Sequence, residues 1–161
     1  MTVANSRSAE VTLPADNQIQ VVREFDAPAD LVYRAWTTPE LVKRWFGANR
    51  AEVISAEIDL RVGGAWRYVS RLPDGGEFAF RGEYRELVPN ERIVATEVFE
   101  PMPDAEALDT LTFAERDGRT TVTLLVEHQT KENRDAHVES GMEDGLQDAL
   151  DLLEQVAQSL R

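Results

Sequence analysis

The sequence predicts an α+β fold: a curved antiparallel sheet wrapped around a long C-terminal helix, with two short helices after the first strand. Three observations predict it. From Lys131 to Arg161 the apolar residues Val138, Met142, Leu146, Ala149, Leu150, Leu153, Val156, Ala157 and Leu160 fall on one helical face. From Ala51 to Gln129 the apolar period is two, interrupted by turn signals. Between Asp26 and Phe46 the chain carries two proline-led helix starts. A C-terminal helix of roughly 40 Å, at about 1.5 Å per residue, needs a surface to lie against, and strands are what the chain offers.

Residues 1–9 are small and polar and are expected to form a flexible tail before a single domain over 10–161. Glu10 to Leu13 and Gln18 to Asp26 read as a hairpin or a broken first strand. Ile19, Val21 and Phe25 share a face that also holds Arg23, which could grip an anionic ligand, pair with Glu97 or reach solvent. Pro28 fits the first turn of a helix striped by Leu31, Val32, Ala35 and Trp36. Thr38 as N-cap and Pro39 at the first helical position start a second helix, Glu40 to Phe46, which stops at Gly47. So tight a corner makes the pair a V.

Six strands follow, over 51–61, 65–72, 77–88, 92–100, 108–116 and 119–129. Gly63-Gly64, Pro73 to Gly76, Pro89-Asn90, a loop from Pro101 and the Asp117-Gly118 hairpin turn separate them. In the first, Val53 alternates against Ile54, Ala56, Ile58 and Leu60. Short turns between successive strands make an antiparallel meander. One apolar and one charged face mean that helices cover one side.

Composition excludes several classes. A chain of 161 residues without Cys has no disulfide and no thiolate chemistry, and two His leave little for a metal site, so neither metal nor cofactor is expected. The net charge of −13 repels phosphate backbones, so nucleic acid is not an expected partner. No apolar run approaches the roughly 20 residues of a membrane span. The first ten residues lack the apolar core of a signal peptide, and a cytoplasmic protein is the default expectation.

The stretches FDAPADLVYRAWTTPELVKRWFG, EIDLRVGGAWRY, FAFRGEYRELVPNERIV and HVESGMEDG resemble the START/Bet v 1-like (SRPBCC) helix-grip superfamily. They are most similar to its bacterial activator-of-Hsp90-ATPase-homologue-1-like and CalC-like branch. The resemblance runs from about Glu10 to the end. It implies a sheet, a helix and an apolar cavity between them. The co-chaperones that name the family carry a basic, Asn- and Trp-containing N-terminal segment. Residues 1–17 have none, so an Hsp90-type partner is not expected.

The candidate site follows from parity. Trp66, Tyr68, Phe78, Phe80 and Tyr84 form an aromatic wall that Trp45, Phe46, Phe99 and Phe113 extend. Such a wall suits an apolar ligand or plain core packing, and a buried tyrosine hydroxyl needs a partner. Gly141 and Gly145 flank Met142 near Leu146. They either make room for a ligand or a side chain, or break the helix. His128 and His137, with Tyr68 and Tyr84, are the candidates for proton transfer. Glu97 stands out among the carboxylates because it shares a face with Ile93, Ala95 and Phe99. No nucleophile motif such as G-x-S-x-G occurs.

Three readings follow. The first is a binding module for a small hydrophobic or aromatic molecule between sheet and helix, without covalent chemistry. The second is a polyketide cyclase- or hydrolase-like enzyme using the His and Tyr groups of the same cavity. The third is a protein-interaction module of the co-chaperone kind. A homodimer through a sheet edge or the V is compatible with each.

Overall fold

The computed structural model describes residues 9–161. Residues 1–8 of the expected tail lie outside the described residues. Ala9 is buried, and its backbone N–H and C=O are both held at 2.8 Å by the Gln147 side-chain amide.

The strands are β1 (Glu10–Thr12), β2 (Gln18–Phe25), β3 (Glu52–Ile58), β4 (Ala65–Arg71), β5 (Glu77–Val88), β6 (Arg92–Phe99), β7 (Ala107–Arg116) and β8 (Arg119–Glu127). They form one antiparallel, curved, unclosed eight-stranded sheet in the order β1-β2-β8-β7-β6-β5-β4-β3. The helices are α1 (Ala29–Thr37), α2 (Pro39–Val42), α3 (Lys131–Glu139) and α4 (Met142–Ser159). This is the α+β helix-grip architecture. Among the described residues no helix is long and apolar enough to cross a membrane.

Cross-strand register puts one residue set on the covered face. Ile19, Val21 and Arg23 of β2 oppose Val126, Leu124 and Val122 of β8, which oppose Asp109, Leu111 and Phe113 of β7. Tyr68 opposes Phe80, and Tyr84 opposes Ala95. β3 departs from simple alternation. Its register shifts between Val53 and Ser55, so Val53 opposes Ser70 while Ala56 and Ile58 oppose Tyr68 and Trp66. The bulge reunites Val53 with the residues that strict alternation sets on the other face. Gly82 of β5 has no room for a side chain. A Cβ there would strike the Thr96 carbonyl and the Trp66 indole, whose Nε1–H donates to that carbonyl at 3.2 Å.

The helical V starts differently from expectation. Thr38 makes no side-chain cap, and α2 is one turn that passes into tight turns up to Arg50. The first turn of α1 is instead satisfied from the sheet: Ala29 N–H donates to Glu115 Oε1 at 2.7 Å, an acidic group at the positive helix end. Trp45 Nε1–H donates to the Ala35 carbonyl at 3.0 Å and closes the corner.

The expected single C-terminal helix is two helices. Gly141 adopts φ 82, ψ 21, the left-handed conformation, and separates α3 from α4. Of the two roles open to this glycine, it takes the break. α3 is capped by Thr130, whose hydroxyl accepts from Asn133 N–H. It is docked by buried Arg134, which donates to the carbonyls of Ala15 and Gln18. α4 lies on the covered face with Ala149, Leu150, Leu153, Val156 and Ala157 buried.

Arg23 fastens α4 to β2. Its side chain is 1% exposed and faces Asp151 at 3.1 Å and Glu154 at 3.5 Å. Glu154 also accepts from Asp26 N–H at 2.8 Å, so one buried carboxylate joins β2, the entrance to α1 and α4. Glu154→Ala is expected to cost about 3 kcal/mol, the low end for removing one partner of a buried pair, because Asp151 remains. Chemical denaturation measures it. Gly141→Ala is expected to cost about 1–2 kcal/mol from backbone conformation alone, since nothing lies within 4 Å of a Cβ there. An unchanged midpoint would mean that the joint tolerates another conformation.

Candidate functional site in the helix-facing interior

The rings of this face form one connected series. Phe25 meets Trp36 (6.2 Å), Trp36 meets Trp45 (5.4 Å) and Phe113 (5.9 Å), and Tyr33 meets Phe113 (5.6 Å). Trp45 leads to Phe46 (5.8 Å), which meets Tyr68 (4.9 Å) and Phe80 (5.5 Å). Trp66 meets Tyr68 (4.8 Å), and Phe78, Phe80 and Phe99 close the series at 5.0–6.0 Å. Most pairs are edge-to-face, the arrangement aromatic quadrupoles prefer. Trp66, Tyr68, Tyr84 and Phe113 are buried, whereas Phe78, Phe80 and Phe99 are half-buried. The wall therefore has a core at Tyr68 and a partly open rim. Phe113 belongs to its far end, under α1.

A polar cluster lies against this wall. β6 contributes Glu97 and β7 contributes Asp109, whose carboxyl group lies against that of Glu97. Asp109 Oδ1 is shut off from solvent and has no hydrogen-bond partner. Burial, then the charge and contact of Glu97, hold the Asp109 carboxyl well above the usual carboxylate range. Burial raises the Tyr68 hydroxyl strongly, and Tyr84 and Glu97 add to the effect. Burial also raises Tyr84, with Tyr33 contributing. Three tyrosines from α1, β4 and β5 thus remain neutral donors.

Two histidines complete the cluster. His128, at the end of β8, places Nε2 3.0 Å from Nδ1 of His137 on α3. Burial, followed by the charges of His137 and Arg134, lowers His128 to about 4. Burial lowers His137, against the pull of Glu97. Both are neutral imidazoles at physiological pH, and His128 Nδ1 is buried without a partner. The proton on one of the two facing nitrogens decides whether His128 Nδ1 is a donor or an acceptor.

The remaining expected site residues divide. Met142 and Leu146 are half-buried and pack against the core. Gly141 is exposed at the helix break and lines no interior. Gly145 accommodates Arg50: a Cβ would lie 3.3 Å from Arg50 Nη1, and Arg50 pairs with Asp148 at 2.9 Å. Arg23 is paired with Asp151 and Glu154 of α4 rather than reaching solvent. Asp109 and Tyr33 escaped sequence reading. Asp109 had a signal, since it shares parity with Leu111 and Phe113; Tyr33 lies off the apolar stripe of its helix.

A void of about 10 Å³, the scale of one water, lies among Val21, Arg23, Phe25, Trp36, Val122, Leu124 and Leu150. An open surface groove of about 410 Å³ runs past Asn49, Arg50, Glu52, Arg71, Leu72 and Pro73, outside the aromatic wall. Among the described residues no three His, Cys, Asp or Glu side chains gather as a metal-binding group.

The half-buried Asp109 carboxyl gives a pH-dependent prediction. The folded-state pKa of Asp109 lies above its unfolded value, so its contribution to stability is fully present below about pH 4 and is lost as pH rises through the folded value. Asn at this position carries no such loss. Asp109→Asn is therefore expected to raise Tm at pH 7.5, with the gain shrinking toward pH 4. Thermal melts across that range check it, and a pH-independent difference contradicts it.

Comparison with known proteins agrees with this architecture. The family profile described as "Activator of Hsp90 ATPase homolog 1-like protein" matches residues 26–158. No curated protein sequence matches the chain. A crystal structure of a protein from Nitrosomonas europaea is 27% identical over 91% of this chain and 97% of that one, with a TM-score of 0.82. One from Chromobacterium violaceum is 30% identical over 86% and 96%, with a TM-score of 0.70. One from Rhodobacter sphaeroides is 23% identical over 94% and 99%, with a TM-score of 0.88, which speaks for the fold alone. A profile match spanning most of the chain, on a sheet that grips its C-terminal helix, makes this protein a member of the activator of Hsp90 ATPase homologue 1-like family within the START/Bet v 1-like superfamily.

Proposed function

We propose that the protein is a single-domain binding module, over residues 10–161, that holds a small apolar or aromatic molecule between the aromatic wall and α4. The observation that carries this reading is Asp109 Oδ1, an unpartnered oxygen shut off from solvent on a carboxyl that lies against Glu97, itself close to the Tyr68 hydroxyl. An orphaned buried acceptor costs about 1–3 kcal/mol, a loss that a ligand donor or a bound water recovers. The ligand's apolar body would lie on Trp66, Tyr68, Phe80 and Phe46, under Met142 and Leu146. Phe78 and Phe99 form the rim. Half-buried Phe46, Met142 and Leu146 would shift to admit it. Apolar burial at about 25 cal/mol per Å², before the costs of association, supplies the driving force.

The cluster gives less support to the cyclase- or hydrolase-like reading. His137 lies beside Glu97, but among the described residues no serine or threonine hydroxyl hydrogen-bonds its ring. The co-chaperone reading gains no residue from this site.

A thermal-shift titration with polyaromatic compounds tests the proposal. A saturable rise in Tm is expected, with Kd about 5- to 10-fold weaker for Tyr84→Phe, the loss of roughly one hydrogen bond. Saturable binding insensitive to Tyr84→Phe and to Phe46→Ala would move the site away from the wall.

A further inference from the structure

We infer that α3 is a latched lid on this interior: it lifts on its own about Gly141, while α4 stays docked, and admits the ligand at the end of the sheet where β2 begins and β8 ends. The inference rests on the binding reading above and adds how that interior is entered.

α3 straddles the start of β2 and the end of β8. Arg134 Nη1 donates to the carbonyls of Ala15 at 2.9 Å and Gln18 at 3.3 Å, and His137 Nδ1 lies 3.0 Å from His128 Nε2. Two of the solvent-shut polar atoms without a hydrogen-bond partner lie at this same end. His128 Nδ1 belongs to the ring that His137 meets edge-on, and Asp109, which carries the other, opposes Val126 near the end of β8.

What holds α3 differs in kind from what holds α4. Among the residues of α3 only Arg134 is buried, and Val138, its largest apolar side chain, is 38% exposed. The helix docks through hydrogen bonds, from one guanidinium and between two imidazoles, rather than through an apolar face. Water replaces such bonds when they open, so each contributes little net free energy. α4 instead buries Ala149, Leu150, Leu153, Val156 and Ala157 and is fastened by Arg23. Elements with few buried apolar contacts are the ones that open well below the free energy of global unfolding.

Both ends of α3 permit the movement. Gly141 is exposed and left-handed at φ 82, with nothing within 4 Å of the place a Cβ would take. At the other end Gln129 and Thr130 belong to neither β8 nor α3. Contacts inside the helix travel with it: Thr130 Oγ1 accepts from Asn133 N–H, and Lys131 pairs with Asp135 at 2.6 Å. A helix of 9 residues is marginal in water by itself, so its amides exchange once it leaves the sheet.

The experiment pairs hydrogen exchange on the full chain with stopped-flow binding of N-phenyl-1-naphthylamine, an uncharged fluorescent aromatic probe. Arg134→Gln and, independently, His137→Phe each remove one latch. In the wild type at pH 7.5, amides of 131–139 are expected to be protected at least about 30-fold less than those of 149–157. Each variant lowers the protection of 131–139 by a further factor of about 5 to 10, the loss of roughly one hydrogen bond, and leaves 149–157 and 119–127 within about twofold. The probe then associates and dissociates faster by a similar factor, with Kd within about twofold, because a lid controls access and not the bound contacts. Exchange of 131–139 in step with 149–157 in the wild type overturns the lid and leaves the binding reading standing. Protection lost from 149–157 together with 131–139 in both variants does the same, since the latch is then part of the global fold. Unchanged probe rates in variants whose α3 opens more readily also overturn the lid, because α3 then moves without controlling entry. No binding of the probe to wild type or variants overturns both.

Discussion

One geometric constraint governs this structure: an open eight-stranded sheet has far more concave face than a single helix can cover. Seven inter-strand spacings of about 4.8 Å span roughly 34 Å, whereas a helix with its side chains is about 10–12 Å wide. α4 takes one strip. It is held there by the buried Arg23–Asp151–Glu154 group rather than by apolar contact alone. α1 takes the strip over Phe113 and packs on α4. The remainder, over β4, β5 and β6, is covered mainly by rings that pack on one another. The aromatic wall is the answer to that shortage of helix. The same shortage explains why polar groups buried beneath it lack the backbone partners that regular elements supply.

The charge distribution divides along the two faces. The convex face carries Arg67, Arg81, Arg71 and Arg85 against Glu100, Glu77 and Glu83 at 2.8–3.5 Å, all partly or well exposed. Pairs of this kind are worth about 0–1 kcal/mol each and fix little beyond solubility. The concave face carries fewer ionisable groups, and burial shifts Tyr68, Tyr84, Asp109, His128 and His137 among them. An acidic chain therefore keeps its excess charge in water and confines its chemistry to a handful of residues on the other side.

Most of the fold was legible in the sequence because its two periods do not overlap. Strands with one wet face must alternate, and Pro28 and Pro39 leave few conformations to the residues beside them. Two features escaped for a physical reason. A glycine in the left-handed conformation and a glycine inside a helix look alike in a pattern of apolar spacings, so the α3–α4 joint was one of two open readings. A β-bulge inserts a residue without changing composition, so Val53 looked outward. In the site, Glu97 and Arg23 were visible as charges of apolar parity. Arg23 found its partner on the last helix, about 130 residues away, where alternation carries no information. Asp109 carried the same parity signal, and its importance comes from one contact across the β6–β7 ladder.

Gly82 shows how tightly the wall is specified. The Trp66 indole lies across it and donates to the Thr96 carbonyl, so the ring occupies the volume that a side chain at position 82 would need. Any larger residue at 82 meets the Thr96 carbonyl as well as the indole, so a smaller residue at 66 makes no room for it. A smaller residue at 66 leaves a hollow beside Tyr68 and a carbonyl without its donor. The dependence therefore runs one way: a tryptophan at 66 needs the glycine at 82, whereas the glycine is demanded by the neighbouring backbone whatever stands at 66. Interior volume in related chains would then be gained at position 66 alone, on the Trp66 side of the wall.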